Sequence, residues 1–101
     1  PLQKQAAAVQ ASPALLDYVQ TLIEATRSNP KFIHGLSPRA GLALLAAARA
    51  WAFINQRRMV LPDDVQAVLP SVACHRLRLR HGSGHATPAD IASLIQAIPV
   101  A

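Results

Sequence analysis

An arginine in the first turn of a helix is the feature of this chain best suited to chemistry. Ser37 is a preferred N-cap residue, and Pro38 suits the first helical position, where a missing N–H has no effect. Arg39 then lies beside unpaired backbone N–H groups, where a cation is disfavoured by roughly 0.3–1 kcal/mol. Because N–H donors and a guanidinium can converge on one phosphate, the segment predicts a phosphate-binding arginine. The alternative is a solvated arginine without a ligand.

Proline marks the start of each predicted helix. A serine or threonine precedes it at three points and two aspartates follow it at the fourth, which are Ser12-Pro13, Ser37-Pro38, Thr87-Pro88 and Pro62-Asp63-Asp64. With the apolar periodicity that follows, these signals predict helices over about 13–27, 38–56, 62–74 and 88–98. The composition of 2–9 is typical of the tail of an earlier helix. Pro70 predicts a kink or an early end in the third helix.

Composition predicts a single all-α domain. The chain has 101 residues, of which 51% are apolar, 15% charged and only 4% aromatic. Between Ala40 and Ile54 the only charged residue is Arg49, so this helix is predicted to be the central one. We therefore expect a small bundle of four to five short helices around a central helix rich in alanine and leucine.

Basic residues suggest an alternative function. The net charge of +5 permits contact with nucleic acid, anionic lipid or phosphate ligands. Arg76–Arg80 alternates cation and leucine, so as a strand it would present one basic face, and as a helix exit it would place cations near a negative dipole end. The alternative is therefore a small basic helical module that binds DNA or a protein partner. No aromatic residues are interleaved for base stacking, which does not favour nucleic acid.

Arginines also stand at the predicted ends of helices. Arg27, Arg57 and Arg58 each follow or close a helical segment. We expect them to interact with the negative helix termini.

Neither a metal site nor a catalytic set emerges from the sequence. Cys74, His75, His81 and His85 match no common zinc-finger spacing, so we expect a buried cysteine, loop histidines and no metal. The chain contains neither a Walker A loop nor a Walker B motif, so it is not predicted to be an enzyme by itself. A single cysteine fits a reducing compartment, and no apolar run could span a bilayer. We expect a cytoplasmic protein without a membrane partner.

Several short motifs together resemble one protein family. In order they are Tyr18-Val19, Ala25-Thr26-Arg27, Gly35-Leu36-Ser37-Pro38-Arg39-Ala40, Arg57 to Val60, Pro62-Asp63-Asp64-Val65, His75-Arg76-Leu77 and Ile98-Pro99-Val100. Their order and spacing resemble the C-terminal lid of MoxR-type AAA+ ATPases, over about 9–100. The chain departs from the family at Gln56, where the family usually has glycine before the arginine.

The resemblance implies a helical lid over 1–101 whose upstream α/β nucleotide-binding domain is absent from this chain. It implies that Arg39 is the sensor-2 arginine, which approaches the γ-phosphate of ATP in its own or a neighbouring subunit, with Ser37 and Pro38 fixing the helix start. No catalytic residue, metal or cofactor is expected in the lid itself. ATP and Mg²⁺ would bind the parent, a chaperone-like ATPase. Its implied partners are its own nucleotide-binding domain, neighbouring subunits of a homo-oligomeric ring and an unidentified protein client.

Overall fold

A computed structural model describes residues 9–81 and 84–100 of the chain. Within these residues the chain forms four α-helices, which are α1 (Pro13–Ser28), α2 (Pro38–Ile54), α3 (Pro62–Ala73) and α4 (Pro88–Ala97). Each helix begins at the proline that the sequence predicts, and each ends within two residues of the predicted position. The all-α bundle is confirmed. The helical tail predicted over 2–9 falls, except for Val9, outside the described residues. None of the four helices is long and apolar enough to cross a membrane.

Hydroxyl caps fix three of the helix starts. Ser12, Ser37 and Thr87 each accept the backbone N–H of the third residue that follows, at 3.1–3.3 Å. At α4 the capping is reciprocal and forms a capping box, because the Asp90 carboxylate accepts the Thr87 N–H at 2.9 Å. This backbone hydrogen bond, together with the Lys31 ammonium 3.1 Å away, holds the pKa of Asp90 below its usual range. These local contacts explain why the helix starts are readable from sequence.

Small side chains on α2 allow close packing against α3. The buried face of α2 repeats every four residues and consists of Ala40, Leu44, Ala48 and Ala52. Alanine at three of these positions lets α3 approach closely, and α3 packs against α2 more extensively than any other pair of helices does among the described residues. The buried apolar residues of α3 include Val65, Val68, Leu69 and Val72.

Among the described residues α2 packs against α1 and α3 but not against α4, whereas α3 contacts all three other helices. The central position predicted for α2 is therefore wrong, because part of its apolar surface, including Leu42 and Ile54, is exposed rather than packed within the bundle.

A buried ion pair joins the end of α2 to the start of α3. Asp64 is fully buried, and its carboxylate accepts the Leu61 N–H at 2.8 Å and pairs with the Arg57 guanidinium. Leu61 has no side-chain oxygen, so this carboxylate is the side-chain cap of α3. Arg57 was predicted to interact with a negative helix terminus, and this prediction is wrong. Its guanidinium instead neutralises an acid that would otherwise be buried without a counter-ion.

Pro70 does not end α3, so of the predicted kink or early end, the early end is wrong and the kink stays a prediction. The helix continues to Ala73, and the Cys74 N–H bonds to the Pro70 carbonyl at 3.0 Å. Pro70 lies in the last turn, where only the bond to the preceding turn is lost. Burial of Val72 and Ala73 against the core holds the remaining residues in the helix.

Among the described residues, three isolated β-bridges pair short segments outside the helices. Antiparallel bridges join Phe32 to Leu79 and Arg78 to His85, and a parallel bridge joins Gln10 to Met59. Both interpretations of the arginine-rich stretch apply, to different parts of it. Arg76 lies in the turn after α3 and donates to the Val72 carbonyl at 2.6 Å, as cations do at a helix exit, whereas 78–79 are extended.

Gln56 occupies a backbone conformation that normally favours glycine. Its φ is +63°, in the left-handed region. The Gln56 N–H bonds to the Phe53 carbonyl and the Arg57 N–H to the Ala52 carbonyl, each at 2.9 Å, which is the Schellman pattern that ends many helices. The departure from the family pattern noted above therefore falls on the residue that terminates α2.

Replacing this residue tests the strain directly. We expect Gln56→Gly to raise the free energy of unfolding by about 1 kcal/mol, because glycine adopts the left-handed conformation without a Cβ penalty. Chemical denaturation of the 101-residue chain measures the change.

Gln20→Gly is the matched control, since Gln20 is an exposed residue within α1. There the same exchange should lower stability by about 1 kcal/mol. Equal and negative effects at both positions would mean that Gln56 is not strained.

Candidate functional site

Arg39 is the second residue of α2, and its side chain is exposed. The cap predicted before it is present: the Ser37 hydroxyl accepts the Ala40 N–H at 3.1 Å, and the Ser37 carbonyl accepts the Gly41 N–H at 3.1 Å. Pro38 occupies the first helical position. The structure therefore presents a guanidinium at the positive end of a helix, the arrangement that suits an anionic ligand.

The connection that leads into α2 is held by the last turn of α1. Thr26 is 1% exposed, and its hydroxyl donates to the Ile23 carbonyl at 2.6 Å while accepting the Leu36 N–H at 2.9 Å. Nearby, the Arg27 Nε donates to the Leu36 carbonyl at 3.0 Å. Both backbone polar groups of Leu36 are therefore bonded to α1, immediately before the Ser37 cap.

Gly35 is required by close approach of the backbone. A Cβ at this position would collide with the backbone and Cγ of Arg27. The chain therefore crosses the end of α1 at a distance that only glycine permits. Arg27, predicted to interact with a negative helix terminus, instead supports this crossing.

The supporting roles of Thr26 and Gly35 were not predicted from the sequence. Thr26 was visible as a polar residue on the apolar face of α1, with Leu22 and Ile23. A hydroxyl on a buried face requires a hydrogen-bond partner, so the signal was present. The partner itself, Leu36, lies ten residues away and could not be identified from a pattern.

An apolar groove of about 420 Å³ runs between α1 and the first half of α2. Arg27 and Pro38 contribute to its wall, and Leu16 and Leu42 are 43% and 70% exposed along it. Its other lining residues include Val19, Ile23 and Leu45. Contiguous exposed apolar surface of this kind marks a contact site on many proteins. The groove lies on the same two helices that position Arg39.

Two arginines of the stretch Arg76–Arg80 donate to backbone carbonyls elsewhere in this chain. Arg80 donates from Nε to the Pro30 carbonyl at 3.2 Å and from Nη2 to the Phe32 carbonyl at 3.3 Å. Arg76 is bonded to the last turn of α3 as described above. Two of the three arginines therefore hold loops in place. The aromatic ring of Phe32 is buried, so it offers no stacking surface for a base.

Cys74 and the three histidines considered for a metal site lie in different environments. Cys74 is half-buried rather than buried, and burial, with the negative charge of Asp90, raises the pKa of its thiol. His75, His81 and His85 are exposed. Over 9–81 and 84–100, no three side chains of His, Cys, Asp or Glu come together as a possible metal-binding group.

Comparison with known proteins identifies the architecture. The sequence profile of the AAA lid domain matches residues 24–98. The chain is 45% identical over 83 residues to the protein MoxR of Paracoccus denitrificans, covering 68% of this chain and 24% of that protein. It is 40% identical over 77 residues to the chaperone MoxR1 of Mycobacterium tuberculosis, covering 67% of this chain and 20% of that protein.

One solved structure superimposes closely. A protein of Cytophaga hutchinsonii that is inferred to be an ATPase matches with a TM-score of 0.86 at 27% identity, covering 97% of this chain and 33% of that one. The chain thus spans about a fifth to a third of the length of these proteins.

Alanine at Gly35 tests the close crossing. We expect Gly35→Ala to lower the free energy of unfolding by about 1–3 kcal/mol, because the added methyl group must push the connection away from α1. Thermal or chemical unfolding of the chain measures the loss.

Gly41→Ala is the matched control. A Cβ there would lie 3.5 Å from Ile23 Cγ1, an ordinary van der Waals distance. Within a helix the exchange should be neutral or stabilising by up to about 1 kcal/mol. If Gly35→Ala behaved like Gly41→Ala, the crossing would not require glycine.

Proposed function

The chain belongs to the AAA lid domains of the MoxR family of AAA+ ATPases, and on that premise we propose that residues 1–101 form the C-terminal lid of a longer ATPase in which Arg39 contacts the γ-phosphate of ATP. The observation that carries the proposal is the exposed guanidinium in the first turn of α2, where a cation opposes the helix dipole. A bound phosphate would convert this unfavourable position into a favourable one.

The chemistry expected of Arg39 is charge stabilisation. A guanidinium can donate two parallel hydrogen bonds to a phosphate, and it interacts more strongly as negative charge develops in the transition state. After hydrolysis and release of the γ-phosphate, Arg39 loses its partner. Because the lid then binds the nucleotide less well in the same orientation, its position should depend on whether ATP or ADP is bound.

The remaining chemistry is assigned to the upstream nucleotide-binding domain. That domain would supply the loop that cradles the phosphates and the ligands of Mg²⁺. Arg39 would act within its own subunit or across to a neighbour in a homo-oligomeric ring. The apolar groove between α1 and α2 is a suitable surface for packing against that domain or a neighbouring subunit, because Leu16 and Leu42 are exposed along it and Pro38, which precedes Arg39, forms part of its wall.

The biological role proposed for the parent follows its relatives. One relative is named a chaperone, so we propose a chaperone-like ATPase that remodels a protein client in the cytoplasm. The lid would transmit the nucleotide state to that assembly. A basic DNA-binding module is the weaker alternative, because Arg76 and Arg80 bond to carbonyls of this chain.

Removing the Arg39 side chain tests the assignment. In the full-length ATPase, we expect Arg39→Ala to reduce kcat for ATP hydrolysis about 100-fold, as loss of a transition-state charge partner does elsewhere. The lid should remain folded, since the Arg39 side chain is exposed. Steady-state phosphate release measures kcat, and circular dichroism measures folding.

Arg58→Ala is the control. It removes the same charge from another exposed position, at the opposite end of α2. Its kcat should stay within about twofold of wild type. Unchanged hydrolysis by the Arg39→Ala enzyme would contradict the proposed function.

A further inference from the structure

We propose that Thr26 is a positioning residue for Arg39, and that its hydroxyl sets where the guanidinium meets the nucleotide. The inference rests on the proposed function of Arg39. It assigns a role in ATP hydrolysis to a side chain that lies on another helix and is 1% exposed, and that is therefore not available to touch the nucleotide itself.

The hydroxyl of Thr26 makes a connection that few side chains could make. It donates to the Ile23 carbonyl at 2.6 Å and accepts the Leu36 N–H at 2.9 Å. Only a hydroxyl offers a donor and an acceptor on one atom in so small a volume. Leu36 is 2% exposed, so its N–H would have no access to water if the hydroxyl were removed.

Through Leu36, the Thr26 hydroxyl can affect the position of Arg39. Leu36 directly precedes the Ser37 cap, and the cap fixes the first turn of α2, which carries Arg39. The Arg27 Nε holds the Leu36 carbonyl from the other side, and the Gly35 crossing leaves no room for the connection to move toward α1. A shift of Leu36 away from α1 would therefore displace the start of α2 as a unit.

Such a displacement should act on catalysis more than on binding. A misplacement of about 1 Å at a reacting phosphate can reduce a rate up to 100-fold, because hydrogen bonds that form fully only in the transition state depend on precise alignment. A merely structural threonine would lower stability without changing kcat at temperatures where the protein stays folded.

The test is a double-mutant cycle in the full-length ATPase. Thr26→Val keeps the shape of the side chain and removes the hydroxyl, whereas Thr26→Ser keeps the hydroxyl. We expect Thr26→Val to reduce kcat about tenfold with KM for ATP changed less than kcat, and Thr26→Ser to stay near wild type. In the Arg39→Ala background, Thr26→Val should cause no further loss of kcat, because the group that it positions is already absent.

Two further variants control for folding. Val65→Ala removes volume from a fully buried site on α3 and should lower the melting temperature while leaving kcat unchanged. Arg27→Met keeps much of the length of an exposed side chain but removes the donor to the Leu36 carbonyl, so it should reduce kcat a few-fold. If Thr26→Val fails to fold, Thr26→Ala, which also removes the hydroxyl, provides the decisive measurement.

The outcomes separate this inference from the proposed function. Wild-type kcat in Thr26→Val, or a tenfold loss that persists in the Arg39→Ala background, would overturn the positioning role alone. Wild-type kcat in Thr26→Ala would do the same where Thr26→Val is unfolded. Wild-type kcat in Arg39→Ala would overturn the function of the arginine and the positioning role with it.

Discussion

The attachment of Leu36 to the end of α1 is the constraint on which the site depends. Its N–H and carbonyl bond to Thr26 and Arg27, both in the final turn of α1. The next residue caps α2, which is the helix that α3 packs against most closely. These two hydrogen bonds therefore attach the start of α2, and with it the exposed Arg39, to the last turn of α1.

Helix electrostatics distinguish α2 from the two helices that follow it. The first turns of α3 and α4 contain acids, at Asp63, Asp64 and Asp90, which complement the positive end of the dipole. The first turn of α2 contains no acid and instead carries Arg39. A protein selected only for stability would gain from the opposite charge at this position. The placement of a cation is consistent with the phosphate-sensing role proposed for an AAA lid domain of the MoxR family.

Sequence reasoning was accurate where the determinants are local. A proline next to a hydroxyl or to acids marks a helix start, so all four starts were predictable. The apolar composition of α2 predicted a central position, which α3 occupies instead. The same analysis located Arg39, but its contact with a nucleotide stays a prediction. Gln56 was recognised only as a departure from the family, and its positive φ supplies the physical reason that glycine is usual there.

Contacts between distant residues were not predictable. The Thr26–Leu36 bond, the Arg57–Asp64 ion pair and the pairing of Phe32 with Leu79 each depend on how segments are brought together in three dimensions. Pro70 shows a related failure, since its local signal for an early end is outweighed by the burial of Val72 and Ala73. Patterns of residue type predict which faces are buried, but not which polar partners meet there.

The most direct test of the central claim is the structure of the full-length ATPase with Mg²⁺ and a non-hydrolysable ATP analogue bound. We expect the Arg39 guanidinium to lie about 3 Å from an oxygen of the γ-phosphate, in its own or a neighbouring subunit, with Thr26 still bonded to Leu36. An Arg39 guanidinium more than about 6 Å from every phosphate oxygen, where no direct hydrogen bond can form, would contradict the account.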